Sequence, residues 1–487
     1  MSGVDLARGK PVPVYYQLKV LLAEEILRGT YGTDGRLPTE HELCERFGLS
    51  RTPVTHALSE LADEGVVLRH RRHGTFVNPG WLAGRDDRAE VRVLMPPFGL
   101  LEPRLRATSP GARLSVTRVS GGKLHRAFIR SVAEGRAPDL AILDSVWVAE
   151  FAASGFLWPL EELDPAWAAD DLHRDFLEPF VGAHRIGPGI QAVQADMDVA
   201  GIWYDRAAIG ADVPRTWAEL REIGRRLARA HGGPVLAIPA GRQAAEFITY
   251  CLVALLASNG AQVLGPAGVT LDSPAAVEAM RLLRTLADDK VLSIGAVGHE
   301  RDRTIGMLAR GEALLAFGGS YEAPALARYA GLRLGRVTDV FGFTPVPAGP
   351  HGRPAVVVGG FAYCIPRQAK QPAAAMEVMK NAVTPPATAT FSAHTGEIPP
   401  HRTVVAELGG RSPFHAFTSP LLGSAVIRPV TPAYALVSAQ LRAMLEAVLT
   451  ARLSPEQAVS RAADLISVVT GLPVAHQTSR AAARSRL

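Results

Sequence analysis

The chain has 487 residues, of which 47% are hydrophobic and 20% are charged, an ordinary composition for a soluble globular protein. At roughly 100–200 residues per domain, this length predicts two to four domains. The formal net charge of +5 only weakly favours a polyanionic partner, because residues 1–78 contain ten Lys plus Arg and ten Asp plus Glu.

The three cysteines, Cys44, Cys251 and Cys364, stand far apart and form no CxxC pair. This spacing argues against a disulfide framework or a zinc site. The longest apolar run, Phe247 to Ala257, is too short to span a bilayer, and the N-terminus lacks the basic and then apolar pattern of a secretion signal. We therefore expect a cytoplasmic protein with no metal and no cofactor.

Two helices are predicted near the N-terminus. The first runs from Val14 to Leu27, and the second begins after Thr39, which forms a capping-box pattern with Glu42. The residues expected to be buried by these helices are Tyr15, Leu18, Leu22 and Ile26 in the first and Leu43 and Phe47 in the second.

A third helix follows the tight turn Gly48 to Ser50, and Ser50 can act as its N-cap. Its apolar face carries Val54, Ala57, Leu58 and Leu61. Its opposite face carries Arg51, Thr52, Thr55, His56 and Ser59. Short hydrogen-bonding side chains with one Arg, and no acid before Glu60, are typical of a helix that lies in a DNA major groove.

Two short strands are predicted after this helix, Val66 to Arg69 and Thr75 to Val77. Arg71, Arg72 and His73 lie at the tip between them. Such a basic tip can reach phosphates or the neighbouring minor groove. The stretch from Leu37 to Val77 therefore predicts a winged helix-turn-helix.

These residues resemble the DNA-binding domain of the GntR family of bacterial transcription regulators. The matching residues are Pro13, Tyr15, Gln17, Leu18, LPTE of Leu37 to Glu40, LSRTPV of Leu49 to Val54, Ala57, Leu58, Leu61, Glu64, Gly65 and the closing GTFV. The resemblance implies DNA contacts at Arg36, Thr39, Glu40, Ser50, Arg51, Thr52, His73, Gly74 and Thr75. The outward face of the third helix and the tip add Thr55, His56 and Arg71. Arg72 stands where the family often carries Gly, so the tip is expected to bend differently here.

Beyond residue 90 the pattern alternates between short strands and helices, which predicts an α/β fold with a mainly parallel sheet in two lobes. Five segments resemble extracellular solute-binding proteins of the sugar-binding class: Glu134–Leu163, Gly201–Ile209, Arg215–Ala228, Leu308–Leu326 and Phe341–Pro366. This resemblance implies a two-lobed, periplasmic-binding-protein-like domain that holds its ligand in a cleft. The predicted division is a helix-turn-helix domain at 1–78, a linker at 79–89, the effector domain at 90–472 and a disordered basic tail at 473–487.

Candidate ligand residues are those that lie where strands end, and in the segments that match the family's cleft. Sugars are bound by aromatic faces and by polar groups that pair with hydroxyls. The candidates are Pro97, Phe98, Asp144, Ser145, Asp196, Asp198, Glu246, Ser320, Tyr321, Glu322, Gly359, Gly360 and Phe361. Trp158, Trp203, Tyr204 and Trp217 are instead expected to pack in the core.

These observations predict a ligand-responsive transcription regulator that binds a pseudo-palindromic operator as a homodimer and senses a small polar solute, with a sugar or oligosaccharide favoured. An amino acid, a peptide or another polar solute is the alternative effector, and a fixed charge pair in the cleft would favour it. A fusion to a pyridoxal-phosphate aminotransferase is disfavoured. The four lysines after residue 78, Lys123, Lys290, Lys370 and Lys380, do not follow a strand in a Ser-rich context. Hydrolase, metalloprotease and P-loop motifs are also absent from the sequence, so we expect no enzyme.

Overall fold

The computed structural model describes residues 14–27, 29–32, 34–70, 73–83, 90–97, 101–187, 189–240, 246–299 and 301–475. The chain divides into two compact units. The first comprises residues 1–142, 162–165 and 363–395, and the second comprises residues 143–161, 166–362 and 396–487. The chain passes from one unit to the other five times, after residues 142, 161, 165, 362 and 395.

The predicted winged helix-turn-helix is confirmed within the first unit. Its elements are the helices Val14–Leu27, Glu40–Phe47 and Arg51–Asp63 and the antiparallel strands Val67–His70 and Gly74–Val77. Thr39 and Glu42 form the predicted capping box, and Gly48 ends the second helix in the left-handed conformation at φ 62°. Ser50 occupies the predicted N-cap position, but its side chain makes no capping hydrogen bond.

The apolar residues predicted for this domain form one core. Leu18, Leu22, Leu43, Leu58 and Leu61 are fully buried, as the helical periodicity of the sequence requires. Residues Pro79–Ala83 add a short helix, and Trp81 packs against the same core. Trp81 therefore packs locally, inside the segment assigned from sequence to the linker.

The rest of the first unit is an α/β layer. Strand Glu90–Met95 pairs in parallel with Arg113–Arg118 on one side and Leu140–Asp144 on the other, and Phe361–Cys364 comes next in the order. Its helices are Leu101–Thr108, Gly121–Ala133, Pro372–Ala382 and Pro385–Thr395. Asp139 braces this layer, because its carboxylate accepts hydrogen bonds from the Arg92 side chain and from the backbone of Lys370 and Gln371.

The second unit is built on strand Asp198–Asp205. This strand pairs antiparallel with Leu315–Gly319, Phe341–Thr344 and Val356–Gly359, whereas Val356–Gly359 pairs in parallel with Ala425–Ile427. The sheet is therefore mixed, and the expectation of a mainly parallel sheet was wrong for this unit. The other strands are Arg185–Ile186, Gly189–Ile190, Val193–Gln194, Leu236–Ala237, Leu264–Gly265 and Gly268–Val269.

Helix Glu246–Ser258 lies in the core of the second unit. Its sequence is apolar on all sides, so almost every residue is buried. It packs with helices Pro274–Asp288 and Tyr434–Leu449, and helix Pro455–Thr470 packs on those two helices. The other helices of the unit are Val148–Ala153, Leu172–Asp175, Glu178–Ala183, Arg206–Ile209, Trp217–His231, Arg301–Ala309, Ala323–Tyr329, Val337–Val340, Arg402–Arg411 and Pro413–Thr418. Single turns of 3₁₀-helix lie at Ser145–Trp147, Ile294–Gly298, Ser320–Glu322, Leu334–Arg336 and Ser419–Ser424, and a π-helical turn lies at Trp167–Asp171.

Residues 473–475, the first of the segment predicted as a disordered tail, make backbone hydrogen bonds to the second unit. The N–H of Val269 donates to the carbonyl of Pro473, and the N–H of Ala475 donates to the carbonyl of Val269. The expectation of disorder is therefore wrong for 473–475, and residues 476–487 lie outside the described residues. Over the described part of the chain, no helix has the length and apolar character needed to cross a membrane.

Candidate functional site

A buried arginine of the second unit lies among carboxylates. Arg428 directly follows strand Ala425–Ile427, and its side chain is only 4% exposed. Its Nη2 donates to Oδ1 of Asp144 at 3.1 Å, and its Nη1 lies 3.7 Å from Oε2 of Glu246. Because a buried cation needs compensating charge, these carboxylates hold the guanidinium in one position.

Helix Tyr434–Leu449 holds the carboxylate of Glu246. The Tyr434 hydroxyl donates to Oε2 at 2.7 Å, and the Ser438 hydroxyl donates to Oε1 at 2.6 Å. The guanidinium of Arg428 also faces the rings of Tyr250 and Tyr434 at 5.1 and 5.9 Å. Arg428 therefore lies between acids and aromatic rings, as cation–π contacts favour.

Asp198 is the third carboxylate near Arg428. We call these three acids, the two tyrosines and the arginine the Arg428 cluster; its members are Asp144, Asp198, Glu246, Tyr250, Arg428 and Tyr434. The Tyr250 hydroxyl donates to Oδ1 of Asp198. Tyr250 and Glu246 lie four residues apart on one helix, so that single helix supplies two members of the cluster.

Glycines provide the space that the cluster needs. A β-carbon at Gly359 would lie 2.9 Å from Nη2 of Arg428 and 3.0 Å from Cε2 of Tyr250. Gly360 has φ +132°, and a β-carbon there would lie 2.2 Å from the carbonyl oxygen of Asp196. Gly360 therefore requires glycine, whereas a larger residue at Gly359 would displace the ends of the Arg428 and Tyr250 side chains.

Burial changes the proton affinity of the acids. It raises the pKa of Asp198 to about 7, against the hydrogen bond from Tyr250 and the charge of Arg428, which lower it. Burial also raises the pKa of Glu246 above its ordinary value. Burial lowers the pKa of Arg428, but the charges of Asp144, Tyr434 and Glu246 raise it by more. The net pKa lies above the ordinary value, so Arg428 stays charged. The cluster therefore combines a charged guanidinium with two carboxyl groups, those of Asp198 and Glu246, whose pKa values are raised.

The structure brings together Asp144, Asp198, Glu246 and Gly359 of the ligand residues predicted from sequence. Five others make hydrogen bonds within the fold. Ser320 is fully buried, and its hydroxyl accepts from the N–H of Val199. Asp196 accepts from the N–H of Phe361, and the N–H of Ser145 donates to the carbonyl of Gly360.

The remaining predicted residues fall into three groups. The Tyr321 ring packs beside Phe247 and Tyr250, at centroid distances of 5.7 and 6.2 Å, and so borders the cluster. Glu322 is 2% exposed and so is buried inside the second unit. Pro97 is exposed in the first unit, and Phe98 lies outside the described residues.

Sequence reasoning missed Arg428, Tyr250 and Tyr434. Arg428 could have been found by the rule applied to the other candidates, because it follows a strand. That strand has only three residues, which is too short to show clear alternation. Among the described residues, no group of three or more His, Cys, Asp or Glu side chains is arranged to hold a metal ion.

The DNA-binding surface predicted in the first unit is organised around Glu40. Its carboxylate accepts from Nε of Arg51 at 2.9 Å and from Nη2 of Arg69 at 2.6 Å. The Thr55 hydroxyl donates to it at 3.2 Å, and Arg69 also donates to the Ser59 hydroxyl. Burial raises the pKa of Glu40, but the hydrogen bonds from Arg51 and Thr55 lower it by more. The net pKa is below the ordinary value, so Glu40 stays ionised.

Most of the predicted DNA-contact side chains are exposed. The exposed members are Arg36, Thr39, Ser50, Arg51, Thr52, His56 and His73. The side chain of Arg51 is 83% exposed and can reach DNA. Thr75 is only 9% exposed, so its side chain is largely inaccessible to DNA. Arg71 and Arg72 lie outside the described residues.

Comparison with known proteins identifies two families along the chain. The model of the bacterial extracellular solute-binding proteins matches residues 100–389, and that of the gntR family of bacterial regulatory proteins matches residues 14–77. The HTH-type transcriptional repressor NagR of Bacillus subtilis (strain 168) is 40% identical over 75 residues, which are 15% of this chain and 31% of that protein. A putative binding protein of Brucella abortus (strain 2308) is 23% identical over 285 residues, 56% of this chain and 66% of that protein. The chain thus spans about a third of the regulator and about two thirds of the binding protein.

Solved structures show the same fold for the larger part. Maltose-bound MalE3 of T. maritima superposes with a TM-score of 0.68 at 23% identity, covering 78% of this chain and 99% of that one. The GacH receptor of Streptomyces glaucescens, solved unliganded and with acarbose, gives a TM-score of 0.69 at 20% identity, covering 79% and 99%. The two-domain arrangement predicted from sequence, a gntR-type helix-turn-helix followed by a solute-binding α/β fold, is confirmed.

Proposed function

Because the chain belongs to the bacterial extracellular solute-binding protein family and begins with a gntR-type DNA-binding domain, we propose that it is a transcription regulator whose solute-binding part senses a small polar ligand, with a sugar favoured. The regulator acts where the DNA is, in the cytoplasm. Neither family is one of enzymes, so we assign no catalytic residue.

The Arg428 cluster is the observation that carries this proposal for the effector part. Charged groups, hydroxyls and aromatic rings meet at one place, where several strands end. Hydroxyl-rich ligands are bound by such groups, since carboxylates and guanidinium pair with hydroxyls and rings pack on C–H faces. Asp144, Glu246 and Arg428 are the proposed ligand contacts.

We propose that the exposed face of helix Arg51–Asp63 contacts the DNA. Arg51, Thr52 and His56 project from the first two turns, as in helices that read base edges. One such helix covers a half-site, so we propose that two copies bind a pseudo-palindromic operator. Ligand would alter operator affinity if it binds two states of the protein with different affinity.

An amino acid or peptide is the second candidate effector, because Arg428 and Asp144 form the fixed charge pair that such ligands use. The Arg428 geometry weakens this alternative. Both Nη atoms already face carboxylates, of Asp144 and Glu246. A ligand carboxylate would have to displace one of them.

A thermal-shift screen of the full chain tests the effector class. We expect at least one mono- or oligosaccharide to raise the melting temperature in a concentration-dependent way, since ligand that binds the folded state stabilises it. Arg428→Met should abolish this rise, whereas Arg226→Met, which alters a surface pair with Asp212, should keep it. A rise with amino acids and none with any sugar would establish the second candidate instead.

A further inference from the structure

The Arg428 cluster contains more acid than base. Asp196 and Asp144 act on Asp198 as like charges, whereas Arg428 acts on it as an opposite charge. Glu246 likewise has Arg428 as a nearby opposite charge and Asp144 as a nearby like charge. Three carboxylates, those of Asp144, Asp198 and Glu246, thus interact with the guanidinium of Arg428. Buried carboxylates in such surplus are costly unless protons or another cation neutralise them.

Two carboxylate oxygens of the cluster are available as acceptors. Asp144 receives its hydrogen bonds from Arg428 and the Val146 N–H at Oδ1, and Asp198 receives its hydrogen bond from Tyr250 at Oδ1. Among the described residues, no donor reaches Oδ2 of either side chain. Both oxygens therefore remain able to accept from a ligand.

Arg428 offers a donor that the described residues do not use. Its Nε is buried, and no described acceptor lies within hydrogen-bond reach of it. A buried donor of this kind normally has a partner. Arg428 also lines a cavity with Ser145, His184 and Gln194.

His184 adds a complementary acceptor to this cavity. Its Nε2 donates to Oε1 of Gln194 at 2.8 Å, because Nε2 of Gln194 is itself used to donate to the carbonyl of Asp196. Nδ1 of the neutral ring is then an acceptor, and it too is buried with no described partner. Burial lowers the pKa of His184 to about 4, so the ring stays neutral. A hydroxyl can both accept from Arg428 and donate to His184.

We propose that the ligand of the Arg428 cluster is an amino sugar, whose protonated primary amine lies against the carboxylates of Asp144 and Asp198 and whose hydroxyl meets Arg428 Nε. This inference rests on the proposed function and narrows its ligand class. An ammonium group has three N–H donors and one positive charge. It can therefore donate to Oδ2 of both Asp144 and Asp198 and offset their negative charge. A metal ion is a poorer neutraliser, because the described residues lack a metal-binding group of three or more ligands.

Calorimetric titration of the full chain at neutral pH tests the inference with matched probes. The probes are D-glucosamine, D-glucose and N-acetyl-D-glucosamine, which differ only at one substituent, together with maltose. We expect glucosamine to bind at least about tenfold more tightly than the other three, a difference of about 1.4 kcal/mol, because hydrogen bonds between charged partners are stronger than those between neutral groups. Asp198→Asn, which keeps an acceptor for Tyr250, should reduce this preference. Asp212→Asn, an exposed control paired with Arg226, should retain it.

Each result decides the inference. Equal or tighter binding of glucose, N-acetylglucosamine or maltose overturns it and leaves the sugar-responsive regulator in place. A glucosamine preference that Asp198→Asn does not alter overturns the assignment of the amine to this carboxylate. If none of the four probes binds, the amino-sugar inference is overturned, and the thermal-shift screen with other sugars tests the sugar-responsive regulator separately.

Discussion

Gly359 lies directly opposite Asp198 in the antiparallel register of strands Val356–Gly359 and Asp198–Asp205, and a β-carbon at Gly359 would lie 3.1 Å from Oδ1 of Asp198. The backbone of one strand therefore approaches the acidic side chain of the next so closely that a larger residue at Gly359 would displace that side chain. This close approach places Arg428, Tyr250 and Asp198 within reach of each other.

Replacing Gly359 by alanine should disturb ligand binding more than folding. The new methyl group would press on the ends of the Arg428, Tyr250 and Asp198 side chains. Overpacking of this kind costs about 1–3 kcal/mol, and the side chains can move to reduce it only by leaving their positions in the cluster. We expect at least about tenfold weaker ligand binding by calorimetry.

Gly410→Ala is the matched control for this change. Gly410 lies in helix Arg402–Arg411 with nothing within 4 Å of its would-be β-carbon. Alanine there should leave ligand affinity unchanged and raise stability slightly, by about 0.5–1 kcal/mol. Equal ligand affinity in both variants would contradict the role assigned to Gly359.

The pH dependence of stability should report on Asp198. Burial raises its pKa to about 7, whereas the unfolded chain titrates near ~3.9. Between about pH 4 and pH 7 the folded protein therefore binds more protons than the unfolded chain, and this group's contribution to stability falls as pH rises. Asp198→Asn should flatten the fall across this window, as measured by urea unfolding in a series of buffers.

The charged and titratable groups that act on Asp198 are Tyr250, Arg428, Asp196 and Asp144. Asp212→Asn changes a fully separate exposed acid and should leave the slope as it is in the parent chain. A slope that is unchanged in Asp198→Asn would show that Asp198 titrates near its ordinary pKa.

Glu40 should govern how selectively the third helix binds DNA. In the free protein its carboxylate holds both Arg51 and Arg69. Arg51→Ala should cost about 1–3 kcal/mol of discrimination if Arg51 reads a guanine. Glu40→Gln removes a negative charge from the surface, so it should tighten binding to random DNA and lower the ratio of specific to random binding.

Fluorescence anisotropy with operator and scrambled duplexes measures both effects. Arg46→Ala is the control in the same domain, because Arg46 pairs with Glu25 rather than with Glu40. Equal weakening on both duplexes in Arg51→Ala would instead make Arg51 a phosphate contact.

The two helix caps of this domain differ in what they contribute. Thr39 makes a reciprocal capping box, whereas the Ser50 side chain makes no capping bond. Thr39→Ala should destabilise helix Glu40–Phe47 by about 1 kcal/mol, and Ser50→Ala should have a much smaller effect on helix Arg51–Asp63. Hydrogen exchange of the two helices compares them, and the opposite ranking would refute the cap geometry.

Short-range signals made the N-terminal domain readable from sequence. The capping box at Thr39, the left-handed Gly48 and the spacing of Leu58 and Leu61 all act within a few residues. The same local logic found Asp144 and Asp198, because each lies at the end of a strand. Side-chain direction could not be read in this way, so Ser320 was predicted as a ligand although its hydroxyl braces Val199.

Long-range pairing explains why Arg428 was missed. Its partner Asp144 lies 284 residues away in the chain, and only the folded sheet brings them together. The mixed strand directions were also beyond local reasoning, since alternation of strands and helices favours a parallel sheet until the pairing is known.

The most direct measurement of the central claim is the affinity of the full chain for its operator with and without a sugar that raises the melting temperature. We expect saturating sugar to change operator affinity at least about fivefold, a coupling of about 1 kcal/mol, and Arg428→Met to bind the operator normally but lose this change. An operator affinity that stays the same when the bound sugar saturates the protein would contradict it.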